Sequence, residues 1–199
     1  MDKQEIVLAS NNPGKAKEVN ELLANTGFHI LPQSDFDDDG AEETGLTFVE
    51  NAILKARNAA RYTNHPVIAD DSGIEVISLK GRPGIYSARY AGLDASDEDN
   101  LNKLIEDIKP LDKKDRNARF VCSMVFLRHA EDPTPLISQG VWDGVVITEP
   151  RGRNGFGYDP MFYVPTHDCT SAELSPEIKN QLSHRGQALT SLIKQVCKL

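Results

Sequence analysis

Strand-like apolar runs and helix-spaced repeats alternate along this chain, and that alternation constrains its fold more than any other feature. Glu5 to Ala9 is a short apolar run that meets the turn residues Ser10-Asn11-Asn12-Pro13-Gly14 directly. Val19, Leu22 and Leu23 then recur at helical spacing until Asn25-Thr26-Gly27 stops them, and Phe28 to Leu31 reads as a second strand. Asp35 to Gly45 is an acidic loop. Thr47 opens a second helix, with Glu50 three residues on to complete a capping box, and the pattern runs to about Tyr62. Pro66 to Ala69 and Ile74 to Leu79 read as two strands separated by Asp70-Asp71-Ser72-Gly73. Gly81 to Gly92 is a loop, and Ser96 with Asp99 starts a helix whose Leu101, Leu104, Ile105 and Ile108 share one face. Arg119 to Arg128 and Leu136 to Ile147, split by a polar turn containing proline, read as a hairpin. Met161 to Val164 is a short strand, and Ser175-Pro176 opens a C-terminal helical region. Interleaved helices and strands with one antiparallel hairpin describe a single α/β domain around a mixed sheet.

The 199 residues suit one sizeable core rather than two, and 39% hydrophobic with 26% charged residues is a globular balance. A formal charge of −8 repels nucleic-acid backbones, so a polyanion must be held in a local cationic pocket instead of on a broad basic face. Cys122, Cys169 and Cys197 form neither a disulfide framework nor a zinc pattern and read as free thiols of a reducing compartment. The start MDKQEIVLAS lacks signal-peptide architecture, and no apolar run approaches the roughly 20 residues of a membrane helix. The expectation is a cytoplasmic protein with neither a membrane nor a nucleic acid as partner.

Three segments carry candidate chemistry. Ser10, Asn11, Asn12, Pro13, Gly14 and Lys15 lie between a strand and a helix, where free backbone N–H groups and the helix dipole favour an anion. The segment is not a Walker A loop, because Ala16 follows the lysine, and an ordinary capped helix start would use the same residues. Lys55, inside the second helix, is either a second phosphate-neutralising cation or a solvated side chain. Asp70 and Asp71 stand at the carboxyl end of a strand, where α/β sheets bind ligands. Successive strand residues face opposite ways, so both would reach one site only through a turn, for which Gly73 provides. A divalent cation offsets such paired charge, and magnesium needs only one or two carboxylates when phosphates complete its shell. Glu42 and Glu43, just before a helix, offer a further ligand, although acids in such a loop also serve as solvated surface. Lastly, Gly155-Phe156-Gly157-Tyr158-Asp159-Pro160 brings an aromatic between glycines, fit to stack on a nucleobase or to sit in a core. Lys179, His184 and Arg185 are donors suited to purine carbonyls, or else surface residues.

Taken in order, Ser10-Asn-Asn-Pro-Gly-Lys15, Glu42-Glu-Thr-Gly-Leu-Thr-Phe48, Glu50-Asn-Ala-Ile-Leu-Lys55-Ala56, Ala69-Asp-Asp-Ser-Gly73, Gly84-Ile-Tyr-Ser-Ala-Arg89, Gly155-Phe-Gly-Tyr-Asp-Pro160 and Ser183-His-Arg185 resemble the inosine triphosphate pyrophosphatase family, in its bacterial branch. The resemblance covers almost the whole chain. It implies a homodimer with an elongated mixed sheet flanked by helices and two lobes forming a central cleft. It also implies Mg²⁺-dependent hydrolysis of dITP, ITP and XTP to the monophosphate and pyrophosphate. By matching position, Asp71 is implied as catalytic base and metal ligand, Glu43 as a second magnesium ligand and Asp70 as their support. Ser10 to Lys15, Lys55 and Ser72 are implied as the triphosphate grip. Phe156 is implied to stack on the base beside Gly157 and Tyr158, with Asp159, Lys179, His184 and Arg185 reading it. The Gly84 to Arg89 loop is implied at a dimer interface or cleft mouth. The related Maf-like pyrophosphatases, with another base preference, and a non-catalytic nucleotide sensor are the rival readings.

Overall fold

A computed structural model describes residues 4–10, 12–24, 26–36 and 40–199. Asn11, Asn25 and the middle of the acidic loop, Asp37 to Asp39, lie outside the described residues. The elements are β1 (Gln4–Ala9), α1 (Pro13–Leu23), β2 (Phe28–Pro32), α2 (Phe48–Thr63), β3 (Val67–Val76), α3 (Asp97–Ile108), β4 (Asn117–Leu127), β5 (Leu136–Val146), β6 (Phe162–Val164), β7 (Cys169–Thr170), α4 (Pro176–Leu182) and α5 (His184–Val196). One seven-stranded sheet runs in the order β2-β1-β3-β4-β5-β6-β7. It is mixed: β1 is parallel to β2 and β3, while β6 is antiparallel to β5 and β7. The α/β class and mixed sheet read from the sequence are those of the structure. Among the described residues no helix is long and apolar enough to cross a membrane.

The chain forms two compact units. The first holds the residues up to Asp71 together with Cys122–Gly140 and Arg185–Leu199, and the second holds Ser72–Val121 and Val141–His184. In the first unit the strands are buried on both sides, and their period of two sorts residues into two cores. Ile6, Leu8, Ile68, Cys122, Met124 and Phe126 pack with α1 and α5, through Val19, Leu23, Leu189 and Leu192. Their alternates Val7, Ala9, Val67, Ala69, Val125 and Leu127 pack with α2. That helix presents Ala52, Ala56, Ala59 and Ala60 at helical spacing, small residues on its buried face. Thr47 caps it by accepting from the N–H of Glu50, whose carboxylate accepts from Leu46 N and Thr47 Oγ1.

In the second unit α3 lays Leu101, Leu104, Ile105 and Ile108 on a core with Ile74, Val76, Phe120, Trp142 and Phe162. Its start is the expected capping box, Ser96 with Asp99. One expectation is corrected here. Asp70 to Gly73 is no turn between two strands, because β3 runs unbroken from Val67 to Val76 and Ile77–Leu79 continues as a 3₁₀ turn. The glycine answers a different need. A Cβ at Gly73 would collide with Ser87 Oγ and the Gly84 carbonyl, so its absence lets the 84–89 turn lie against the strand. Ser87 fastens that contact, accepting from Ile74 N at 3.0 Å and donating to Gly84 O at 2.6 Å.

Candidate active site

With β3 continuous, Asp70 and Asp71 keep strand alternation and project to opposite sides. Asp70 follows Ile68 and meets the α1 and α5 side. Its side chain has 0% exposure, and its Oδ2 lies 3.2 Å from Lys15 Nζ and 3.3 Å from Arg185 Nη2. The Cys122 thiol lies 4.0 Å from the same oxygen, and burial pushes that thiol up to about 12. Arg185 also donates, through Nη1, to Glu18 of α1. Burial opposes the charge on Asp70, but Lys15, Arg185 and Lys55 outweigh it and hold the carboxyl well below the usual range.

Asp71 follows Ala69 and meets α2. Lys55 Nζ donates to Asp71 Oδ1 at 2.8 Å and to Glu43 Oε1 at 3.1 Å. Asn51 Nδ2 donates to Asp71 Oδ2 at 3.3 Å. Burial raises the Asp71 carboxyl above the ordinary aspartate value against the pull of Lys55 and Lys15. Burial also works against the Lys55 ammonium, yet Asp71, Asp70 and Glu43 together raise it. Lys55 is thus no solvated lysine but the shared cation of two carboxylates.

That convergence tests the fit to a divalent metal. Glu43 and Asp71 are hard oxygen donors already directed at one positive point, the Lys55 ammonium. No group of three or more His, Cys, Asp or Glu that could hold a metal occurs among the described residues. Two carboxylates are nonetheless what magnesium takes from a protein when phosphates supply its remaining ligands. The donor set fits.

The β1–α1 turn is a capped helix start: the Asn12 side chain accepts from Lys15 N at 3.1 Å, and Pro13 occupies the first helical turn. Asn12 N in turn donates to Ser10 Oγ at 3.3 Å. The same turn brings Lys15 to Asp70. Ser72 sits half-buried on β3.

The second unit holds the aromatic segment. Asp159 is 3% exposed. Its Oδ2 accepts from Phe156 N at 2.9 Å and from Lys179 Nζ at 2.5 Å, and its Oδ1 accepts from Ser171 Oγ at 2.7 Å. The Lys179 ammonium also lies 5.4 Å from the centre of the half-buried Phe156 ring. Gly157 N donates to Asp97. Tyr158 is core: it is buried, and its hydroxyl donates to Ser87 O at 2.8 Å. His184 stacks on Phe120, with ring centroids 4.7 Å apart and planes at 10°.

The structure therefore brings Asp159, Lys179 and Phe156 together as one group. It bonds Arg185 to Asp70 and Glu18, in the other unit from Lys179. Sequence reasoning passed over Glu18 and Asn51. Glu18 stands beside the apolar stripe of α1, and a buried acid there calls for a cation. Asn51 lies one helical turn before Lys55, so both share a face.

Fold and site together define an α/β protein in which one central strand hands adjacent carboxylates to lysines from different helices. Residues 6–195 match the Ham1 family, and the chain belongs to that family. It is similar to the dITP/XTP pyrophosphatase of Vibrio cholerae, 55% identical over 193 residues, covering 97% of this chain and 96% of the relative. The dITP/XTP pyrophosphatase of Escherichia coli K12 is 57% identical over 190 residues, covering 96% of each. A solved HAM1 protein from Coxiella burnetii superposes with a TM-score of 0.90 at 49% identity, covering 98% of this chain and 100% of the other.

Proposed function

We propose that this chain hydrolyses non-standard purine nucleoside triphosphates, dITP, ITP and XTP, to the nucleoside monophosphate and pyrophosphate, with Mg²⁺ as cofactor. The observation that carries the reading is the Glu43–Lys55–Asp71 cluster beside the Lys15–Asp70 pair: adjacent carboxylates of one strand, each met by a lysine. Names borne by close relatives support the substrate class.

Lys15 and Lys55 supply positive charge for a triphosphate. Asp70 holds Lys15, and Asp71 is placed to take a proton from the attacking water. Glu43 and Asp71 would hold the magnesium ion, which when bound neutralises phosphate charge and orients the chain for attack. The protein contributes position and charge, and no covalent nucleophile is required. In the second unit, Phe156 offers a face to a purine and Lys179 offers hydrogens to a C6 carbonyl. Adenine carries an amine at C6, and a buried donor facing it without an acceptor costs about 1–3 kcal/mol. The homodimer implied by the family resemblance and the cytoplasmic location expected from the sequence belong to this reading.

A panel of ITP, dITP, XTP, GTP and ATP, assayed with Mg²⁺ and with chelator, tests it. Pyrophosphate and monophosphate should appear from the keto purines with Mg²⁺ alone. Orthophosphate as the product, equal turnover of ATP, or full activity in chelator would each refute it.

A further inference from the structure

Asn51 is the side chain at this site whose chemistry is most fully determined by what surrounds it. It is 0% exposed. Its Oδ1 accepts from Gly45 N at 2.8 Å, and its Nδ2 donates to Asp71 Oδ2 at 3.3 Å. A backbone N–H only donates and a carboxylate only accepts, so these two neighbours fix which end of the amide points where. Neither aspartate nor leucine reproduces the arrangement: the first has no donor for Asp71, and the second bonds to neither side. Lys55, four residues on, takes the other oxygen of Asp71. The helix thus assigns one donor to each carboxylate oxygen and fixes the plane of the group.

The other end of the amide reaches the loop that carries Glu43. Gly45 comes so close that a Cβ there would sit 2.7 Å from Asn51 Oδ1 and 2.6 Å from Glu50 Cβ. Only bare backbone allows this approach. Glu43, two residues earlier, meets Asp71 at the Lys55 ammonium.

We propose that Asn51 is a positioning residue for the reaction: one buried amide sets Asp71 from one end and the Glu43 loop from the other, so that both carboxylates address the same cation. The proposal rests on the function assigned above. It differs from that reading in naming what aligns the two acids.

The test uses Asn51→Leu, of similar volume, and Gly45→Ala, whose Cβ would crowd the Asn51 amide and break its bond to the loop. Mn²⁺ binding in the presence of a non-hydrolysable ITP analogue, followed by electron paramagnetic resonance, reads the acids without turnover. Outer partners of metal ligands are worth about 10–100-fold in affinity or activity, so both variants should weaken Mn²⁺ by about tenfold or more and lower kcat similarly. KM for ITP should change by less than about threefold, since the lysine grip is untouched. Melting curves identify a variant that fails to fold, and the folded one then carries the test. Folded variants with wild-type Mn²⁺ affinity and kcat would overturn the proposal, as would a loss confined to KM. Wild-type protein that releases no pyrophosphate from ITP would refute the functional reading separately.

Discussion

Replacing Arg185 by methionine isolates the energetic role of the buried charges behind Asp70. The guanidinium is 3% exposed and lies between Glu18 and Asp70, whose side chains are 12% and 0% exposed. Methionine fills much of the volume and leaves both acids without that cation. Removing one partner of a buried ion pair costs about 3–5 kcal/mol, because the remaining charge stays desolvated. Two observations favour the lower end. Asp70 keeps Lys15 at 3.2 Å, and Glu18 touches solvent. The expected loss is about 3 kcal/mol, which at a urea slope of about 2 kcal/mol/M moves the midpoint by roughly 1.5 M. Urea titration by circular dichroism at pH 7 measures it. The pH dependence has a definite sign. In the wild type the folded Asp70 carboxyl lies below its unfolded value of about 3.9, so its stabilisation is complete above that value and fades as pH falls through the folded one. In the variant the stranded acids protonate more readily, so the gap between the two proteins should narrow from pH 7 to pH 4. Adding Asp70→Asn to the variant should return about 1 kcal/mol by removing a fully buried charge that has lost one of its cations. A midpoint shift worth less than about 1 kcal/mol, or a gap unchanged at pH 4, would refute the reasoning.

Asp71→Asn should abolish ITP turnover while urea midpoint and circular dichroism stay near wild type; ITP hydrolysis at the wild-type rate removes Asp71 as base. In metal-free protein, carbon-detected NMR of the Asp71 carboxyl should give a titration midpoint above that of an ordinary aspartate, since burial outweighs Lys55 and Lys15. Lys55→Met removes those cations' nearer member and should raise the midpoint further; a fall would contradict the charge balance described. Lys179→Met strands the Asp159 carboxylate, and should lower kcat/KM for ITP more than for ATP; equal losses would detach Lys179 from base reading.

How much of this was legible in the sequence depends on how local each signal is. The capping residues Thr47, Ser96 and Ser175 mark helix starts correctly because a cap is an affair of neighbours three residues apart. Short apolar runs announce the strands buried on both sides, and alternation announces β5. Gly73 misleads for a definite reason: glycine after two aspartates reads as a turn, whereas here it clears space for Ser87, which is distant in sequence. Tyr158 misleads in the same way, since its partner Ser87 O is invisible from a glycine-rich stretch. Arg185 reads from the sequence as a donor, and its partners were hidden because Glu18 and Asp70 reach it from other elements. Charge pairs made across a fold leave no spacing to read.

The unbroken β3 has a mechanical consequence. Asp70 and Asp71 share one peptide unit yet are moored to different helices on opposite sides of the sheet. Lys15 and Lys55 thus address neighbouring residues of one backbone, with no intervening side chain between the two carboxylates. Inserting one residue ahead of the pair would exchange their moorings outright, which makes this stretch of strand intolerant of any slip in frame.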